Sequence, residues 1–171
     1  DAAQQGDAQV VRSLLQQGED VNAAQSDGLT ALHWAALNND FEMAQLLLYA
    51  GATVKPATRI GGYTPLHLAS RSGHFEVMKA MLDAGADPNK LTSTGVTAMH
   101  FAAQADAPGA IRVLAEHGGD LDMIDGFSRR TPMMFAAVKN ASRALEVLVE
   151  LGADLEMATR VKDYVEFAEQ T

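Results

Sequence analysis

The chain has 171 residues, 47% of them hydrophobic, which suffices for one domain with a sizeable core and is too apolar for a disordered acidic tail. Its formal net charge of -9 argues against nucleic acid and anionic membranes as partners, since both require a basic face. It has no cysteine, so disulfides and thiolate metal sites are excluded, and no apolar run approaches the ~18 residues of a membrane span.

Taken in chain order, residues 1–24 carry Val10-Val11 and Leu14-Leu15, a stripe four residues apart that buries one helix face, closed at Gly18. Residues 25–58 then set out a full pattern. A polar turn with Gly28 leads into Thr30-Ala31-Leu32-His33-Trp34-Ala35-Ala36. The break Asn39-Asp40 follows, then a second stripe, Met43-Ala44 with Leu47-Leu48, and Gly51. Residues 59–91 repeat the pattern with Thr64-Pro65-Leu66-His67-Leu68-Ala69-Ser70, the break Gly73-His74, and Gly85. Residues 92–125 repeat it with Thr97-Ala98-Met99-His100-Phe101-Ala102-Ala103, and residues 126–159 with Thr131-Pro132-Met133-Met134-Phe135-Ala136-Ala137. Residues 160–171 open a polar version, Asp163-Tyr164-Val165-Glu166-Phe167-Ala168, suited to a solvent-facing cap or a shortened last unit.

The period is regular. Gly18, Gly51, Gly85, Gly118 and Gly152 stand 33, 34, 33 and 34 residues apart, and an alanine series and a threonine series keep the same step. Each threonine reads as a helix N-cap, and Pro65 and Pro132 fall at the first helical position, where a missing N–H costs nothing. Each glycine of the series reads as a left-handed helix end. Asp20, Asp87, Asp120 and Asp154 begin the long turns.

Catalytic patterns are missing. The chain has no Gly-rich phosphate loop and no G-x-S-x-G elbow, so neither a catalytic site nor a cofactor site is expected. His33, His67 and His100 recur once per unit, and imidazole is a common metal ligand. Stacked units lie ~10 Å apart, too far for neighbouring histidines to share one ion, so no metal is expected. Trp34, Phe101 and Phe135 are expected to be partly buried between units. His74 and His117 are expected to act as local caps.

These motifs resemble the ankyrin repeat, T-P-L-H-x-A in a unit of about 33 residues, over essentially the whole chain. The resemblance implies an all-α solenoid of stacked helix-turn-helix units with β-hairpin-like fingers, whose first helices line a concave face. It implies that each motif histidine bonds the motif threonine and neighbouring backbone. It also implies a non-catalytic module that binds a protein or peptide through finger tips and inner helices. Mapped by position, the finger candidates are Leu29, Ile60, Tyr63, Val96, Phe127 and Arg130. The inner-helix candidates are Leu37, Asn38, Arg71, Ser72, Gln104 and Lys139. Self-association through the ends of the stack and service as an accessory domain of a larger enzyme or secretion system are the alternatives. Arg129, where a turn glycine is expected, and Met134, in place of the motif histidine, mark 126–131 as the least generic finger.

The segments 27–34 and 58–70 are similar to ankyrin-repeat proteins of environmental bacteria. Many of those are exported, which implies the periplasm or cell exterior, with the cytoplasm as the alternative. The opening Asp1-Ala2-Ala3, without an initiator Met, fits a start downstream of a removed or unseen segment.

Overall fold

Threonine, histidine and glycine divide the chain into units for local reasons that the computed structural model, which describes residues 2–157, makes explicit. The first helices are α1 (Ala2–Gln5), α3 (Ala31–Leu37), α5 (Pro65–Ser72), α7 (Ala98–Gln104) and α9 (Pro132–Val138). The second helices are α2 (Ala8–Gln16), α4 (Phe41–Tyr49), α6 (Phe75–Asp83), α8 (Pro108–Glu116) and α10 (Ser142–Glu150). Thr30, Thr64, Thr97 and Thr131 are the N-caps of α3, α5, α7 and α9, each in extended backbone.

The motif histidine does the work usually given to a glutamate in a capping box. The amides of Thr30, Thr64 and Thr97 donate to Nδ1 of His33, His67 and His100 at 3.0, 3.1 and 3.2 Å. Nδ1 therefore accepts, and Nε2 carries the proton. That proton is donated across to backbone carbonyls: Tyr63 at 3.1 Å, Lys90 at 2.9 Å and Arg130 at 3.0 Å. Each histidine thus caps its own helix and ties it to a later loop. Burial pushes all three imidazoles below their ordinary pKa, so they are neutral.

The helices stack in two rows. α1, α3, α5, α7 and α9 contact one another in sequence, as do α2, α4, α6, α8 and α10, and each first helix contacts the second helix that follows it. No unit could bury its stripe alone. Between the rows lie Leu32, Met43, Leu47, Leu66, Met78, Met81, Met99, Ile111, Leu114 and Leu148, all fully buried, with alanines such as Ala36, Ala69 and Ala103 at the close approaches. The glycine series takes left-handed backbone as expected, for example Gly51 at φ 91° and Gly85 at φ 88°. The interhelix breaks hold the same region with Gly73, or with Asn39, Asp106 and Asn140, side chains that tolerate it.

Among the described residues there is no strand. The fingers are short hairpins closed by Gln25 N to Leu29 O, Thr58 N to Tyr63 O, Thr92 N to Val96 O and Asp125 N to Arg130 O, at 2.8–3.0 Å, with a second backbone bond in two of them, Gly28 N to Gln25 O and Gly95 N to Thr92 O. Neighbouring fingers are joined in turn by Arg59 N to Asp27 O, Ser93 N to Gly61 O and Gly126 N to Thr94 O. A recess of about 300 Å³ beside the shortened first unit is lined by Leu14, Leu15, Val21, Leu29 and Trp34. Trp34 Nε1 is buried and lacks a hydrogen-bond partner among the described residues. The reading of 160–171 as a cap lies outside the described residues.

The expectation of local caps holds for the His117 ring but not for His74, which stands at the N-cap of α6 without a side-chain capping bond. His74 Nδ1 donates to the Ala36 carbonyl of the preceding unit at 2.9 Å. His117 Nδ1 donates to the Val113 carbonyl at 2.8 Å, and its Nε2 meets Asp83 Oδ1 of the preceding unit at 3.0 Å. Those two hydrogen bonds raise the His117 pKa above its ordinary value, the backbone bond being the larger cause.

Candidate functional site

The exposed part of each first helix is its last turn, because the first turns are enclosed by fingers and neighbouring helices. In α5, residues Pro65 to Ser70 are all buried, whereas Arg71 and Ser72 are exposed. Leu37 and Asn38, Gln104, and Lys139 stand exposed at the same place in the other units. Asn38 has a structural task as well, its amide donating to the Gln4 carbonyl at 3.1 Å.

The finger candidates divide. Ile60 and Phe127 are almost fully exposed, at 87% and 89%, and Arg130 is exposed. Leu29 and Tyr63 are half-buried against the core. Val96 is buried at 8%, which corrects the expectation that it projects into solvent. Val96 closes its finger through its own backbone, its amide donating to Thr92 Oγ1 at 3.0 Å and its carbonyl accepting from Thr92 N. Arg130, at the same place in its finger, makes the equivalent bonds to Asp125 and stays exposed, so the burial of Val96 comes from the packing around the finger and not from its own bonds.

Tyr63 and Arg71 come together, and Phe101 joins them from the next unit. The Arg71 Cζ lies 5.7 Å from the Tyr63 ring centroid and 5.9 Å from that of Phe101, and the two rings are 6.0 Å apart. The neutral His67 ring lies edge-on to both, at 6.5 and 6.1 Å. A guanidinium within about 6 Å of two ring faces is held by their quadrupoles while its N–H groups stay free. The Tyr63 ring occupies space that only a glycine leaves open, because a Cβ on Gly61 would come within 2.2 Å of Tyr63 Cε2. Thr58 anchors the tyrosine backbone, Oγ1 accepting from Tyr63 N at 3.0 Å. Phe101 could have been found from sequence, since it follows the motif histidine in the unit after Tyr63. No contact joins Arg130 or Lys139 to this cluster among the described residues.

Charge is distributed unevenly. Fingers and first helices, residues 25–38, 58–73, 92–105 and 125–139, carry five basic residues, Arg59, Arg71, Arg129, Arg130 and Lys139, against two acidic ones, Asp27 and Asp125. Both acids are engaged by backbone. Asp27 Oδ1 accepts from Leu29 N. Asp125 accepts from Phe127, Ser128 and Arg130 amides. Burial alone would raise the Asp125 pKa, but those three amides outweigh it and hold it below the usual carboxylate range. On the second helices, by contrast, Lys79, Arg112 and Arg143 pair with Asp83, Glu150 and Asp106. None of the five cations on the finger and first-helix face has a carboxylate partner among the described residues.

The family model for ankyrin repeats (three copies) matches residues 1–92 and 84–159. The chain belongs to the ankyrin-repeat family. Its relatives include the palmitoyltransferase akr1 of Schizosaccharomyces pombe, 46% identical over 31% of this chain and 8% of that protein. An ankyrin repeat and LEM domain-containing protein 1 homolog of Caenorhabditis elegans is 46% identical over 29% of this chain and 7% of its own length. The potassium channel AKT1 of Oryza sativa subsp. indica is 40% identical over 31% of this chain and 6% of that protein. The match thus spans less than a tenth of each of these relatives. Ankyrin repeats are generally protein-binding units. Among the described residues no helix is long and apolar enough to cross a membrane.

Proposed function

We propose that this ankyrin-repeat chain is a non-catalytic module that binds a protein or peptide through its finger and first-helix face. The single observation that carries this reading is the Arg71 guanidinium, stacked on Tyr63 and Phe101, on a face none of whose cations has a carboxylate partner among the described residues. Stacked arginine and tyrosine are typical interface anchors. The second-helix row supports the contrast, because three of its four cations, Lys79, Arg112 and Arg143, are paired, Arg12 being the exception among the described residues, and its glutamates, Glu42, Glu76 and Glu146, are exposed. Five cations confined to two of the units do not make the continuous basic face that a phosphate backbone requires, which supports a protein or peptide over nucleic acid.

The small share of each relative that is matched supports a second, compatible reading, in which the binding surface serves a larger assembly or polypeptide. The test takes a partner recovered with the unaltered chain. Arg71→Ala should weaken its binding strongly, and charge reversal of Glu76 together with Glu146 should leave it unchanged. The opposite pattern, capture lost on reversal and kept without Arg71, would place the binding face on the second-helix row.

A further inference from the structure

We propose that the Arg71 seat receives a glutamate or aspartate side chain of an acidic partner segment, and that apolar residues flank that carboxylate at a spacing set by the repeat. The inference rests on the first-helix face being the binding face.

Four positions share one place in the units, seven residues after each N-cap threonine: Leu37, Arg71, Gln104 and Val138. All four are exposed, Leu37 by 38% and Val138 by 66%. They form a row of one side chain per unit that reads apolar, cationic, polar, apolar. The cation is the member with a built surround. Tyr63 and Phe101 fix the plane of the guanidinium and shield it on two sides, which reduces the entropy lost on forming a paired hydrogen bond. The free edge of a planar guanidinium matches the two oxygens of a carboxylate. A phosphate dianion would need further positive charge, and no second cation touches the cluster among the described residues. The aromatic rings present apolar surface beside the seat and suit the methylenes of the incoming acid.

Spacing follows from the stack. Packed neighbouring helices lie about 10 Å apart, and an extended chain advances about 3.3 Å per residue. One unit therefore corresponds to about three residues of an extended partner. The acid that reaches Arg71 should have an apolar residue about three positions to one side, over Leu37. A second apolar residue should lie about six positions to the other side, over Val138. Electrostatic attraction between this face and an acidic segment also supplies orientation, because the remainder of the chain is net negative and repels the same segment.

A phage-displayed library of random peptides, selected on the unaltered chain, tests the proposal. Selected peptides should share an Asp or Glu with apolar residues at those offsets. A synthetic copy should lose about tenfold or more in affinity when its acid becomes the amide, and the same again with Arg71→Gln on the protein. The two changes together should cost little more than either alone. Selection on Arg71→Glu should enrich Lys or Arg at the position of the acid. Circular dichroism melts of the Arg71 variants should show the parent's cooperative transition, displaced only by the small loss of the two ring contacts, the side chain being exposed. Three results would overturn the proposal: selected peptides without a common acid, equal binding by Arg71→Gln and the parent, or tighter binding of a phosphoserine version than of the glutamate version. Peptides that bind independently of Arg71 but are lost with Val138→Asp would overturn the carboxylate seat while leaving the first-helix face as the binding face. Peptides insensitive to every change on this face would overturn both.

Discussion

Asn89 brackets Asp120 of the following unit: its Oδ1 accepts from the Asp120 amide at 2.7 Å, while its Nδ2 donates to the Gly118 carbonyl at 2.9 Å. Asn22 makes the same bracket to Thr53 N and Gly51 O, at 2.8 and 3.4 Å, and Asp122 makes half of it to Asp154 N at 2.8 Å. In the second unit the position belongs to Lys55, which has no acceptor in its side chain. A recess of about 250 Å³ lined by Val54, Lys55, Ala86 and Asp87 lies at that junction.

Asn89→Ala should therefore destabilise by about 1–2 kcal/mol, two hydrogen bonds to exposed backbone being lost. Lys55→Asn should stabilise by up to about 1 kcal/mol by supplying the missing bracket. Urea midpoints of the two variants against the parent check both signs, and an unchanged or lowered midpoint for Lys55→Asn would contradict the bracket.

His67→Ala should cost about 1–3 kcal/mol, because the Thr64 amide and the Lys90 carbonyl both lose a partner in the interior. His74→Ala should cost about 1 kcal/mol, losing the single bond to Ala36 between units. Chemical denaturation of both variants fixes the order. A larger loss for His74 would reverse the roles assigned to the two rings.

Stability should fall as pH drops below about 6.5, the ordinary imidazole value. His33, His67 and His100 have lowered pKa values when folded, because burial disfavours the charged ring. Between the folded and unfolded values the unfolded chain binds more protons, so stability is full above about 6.5 and declines below it. His117 has a raised pKa and acts in the opposite sense, contributing below about 6.5 and losing that contribution as pH rises through its folded value. It is a single part-buried ring paired with an exposed carboxylate, and it opposes three buried ones, so the decline toward acid prevails. Urea midpoints at about pH 7.5 and about pH 5.5 measure the slope, which His67→Ala should reduce.

Gly85→Ala and Gly95→Ala separate two reasons for glycine. A Cβ at Gly85 meets nothing within 4 Å, so the cost is that of left-handed backbone, about 1–2 kcal/mol. A Cβ at Gly95 would stand 2.4 Å from Gly126 N and 2.6 Å from its Cα. That variant should be the more destabilised, since the next finger must move. Thermal unfolding of the pair, with Gly85→Ala the higher-melting, is the expected result.

Arg129 occupies the place of Gly28, Gly62 and Gly95 and keeps their left-handed backbone, at φ 55°. Each of those glycines lies against the backbone of the following finger, whereas no finger follows the one at 126–130 among the described residues. A side chain is tolerated there, and the conformational strain remains. Arg129→Gly should raise stability by about 1 kcal/mol or less, part of the gain being lost to the flexibility of glycine in the unfolded chain. Calorimetry showing a clear loss would mean that the Arg129 side chain makes a stabilising contact.

The sequence by itself determined the repeat, the two helices of each unit, their threonine caps, the left-handed glycines and the candidate first-helix residues. These follow from interactions within about seven residues, such as Thr64 with His67 or Leu82 with Gly85, which the order of residue types displays directly. Only the tertiary structure decided what neighbouring units do to one another. It buried Val96 while leaving Ile60 and Phe127 exposed, it half-buried Tyr63, and it set Phe101 against Arg71 from 30 residues away. It also gave His74 and Asn89 their partners in adjoining units. The physical reason is that stacking registers each unit on the next, and whether a side chain at a fixed place in the motif is covered, stacked or free depends on the residues of the unit beside it.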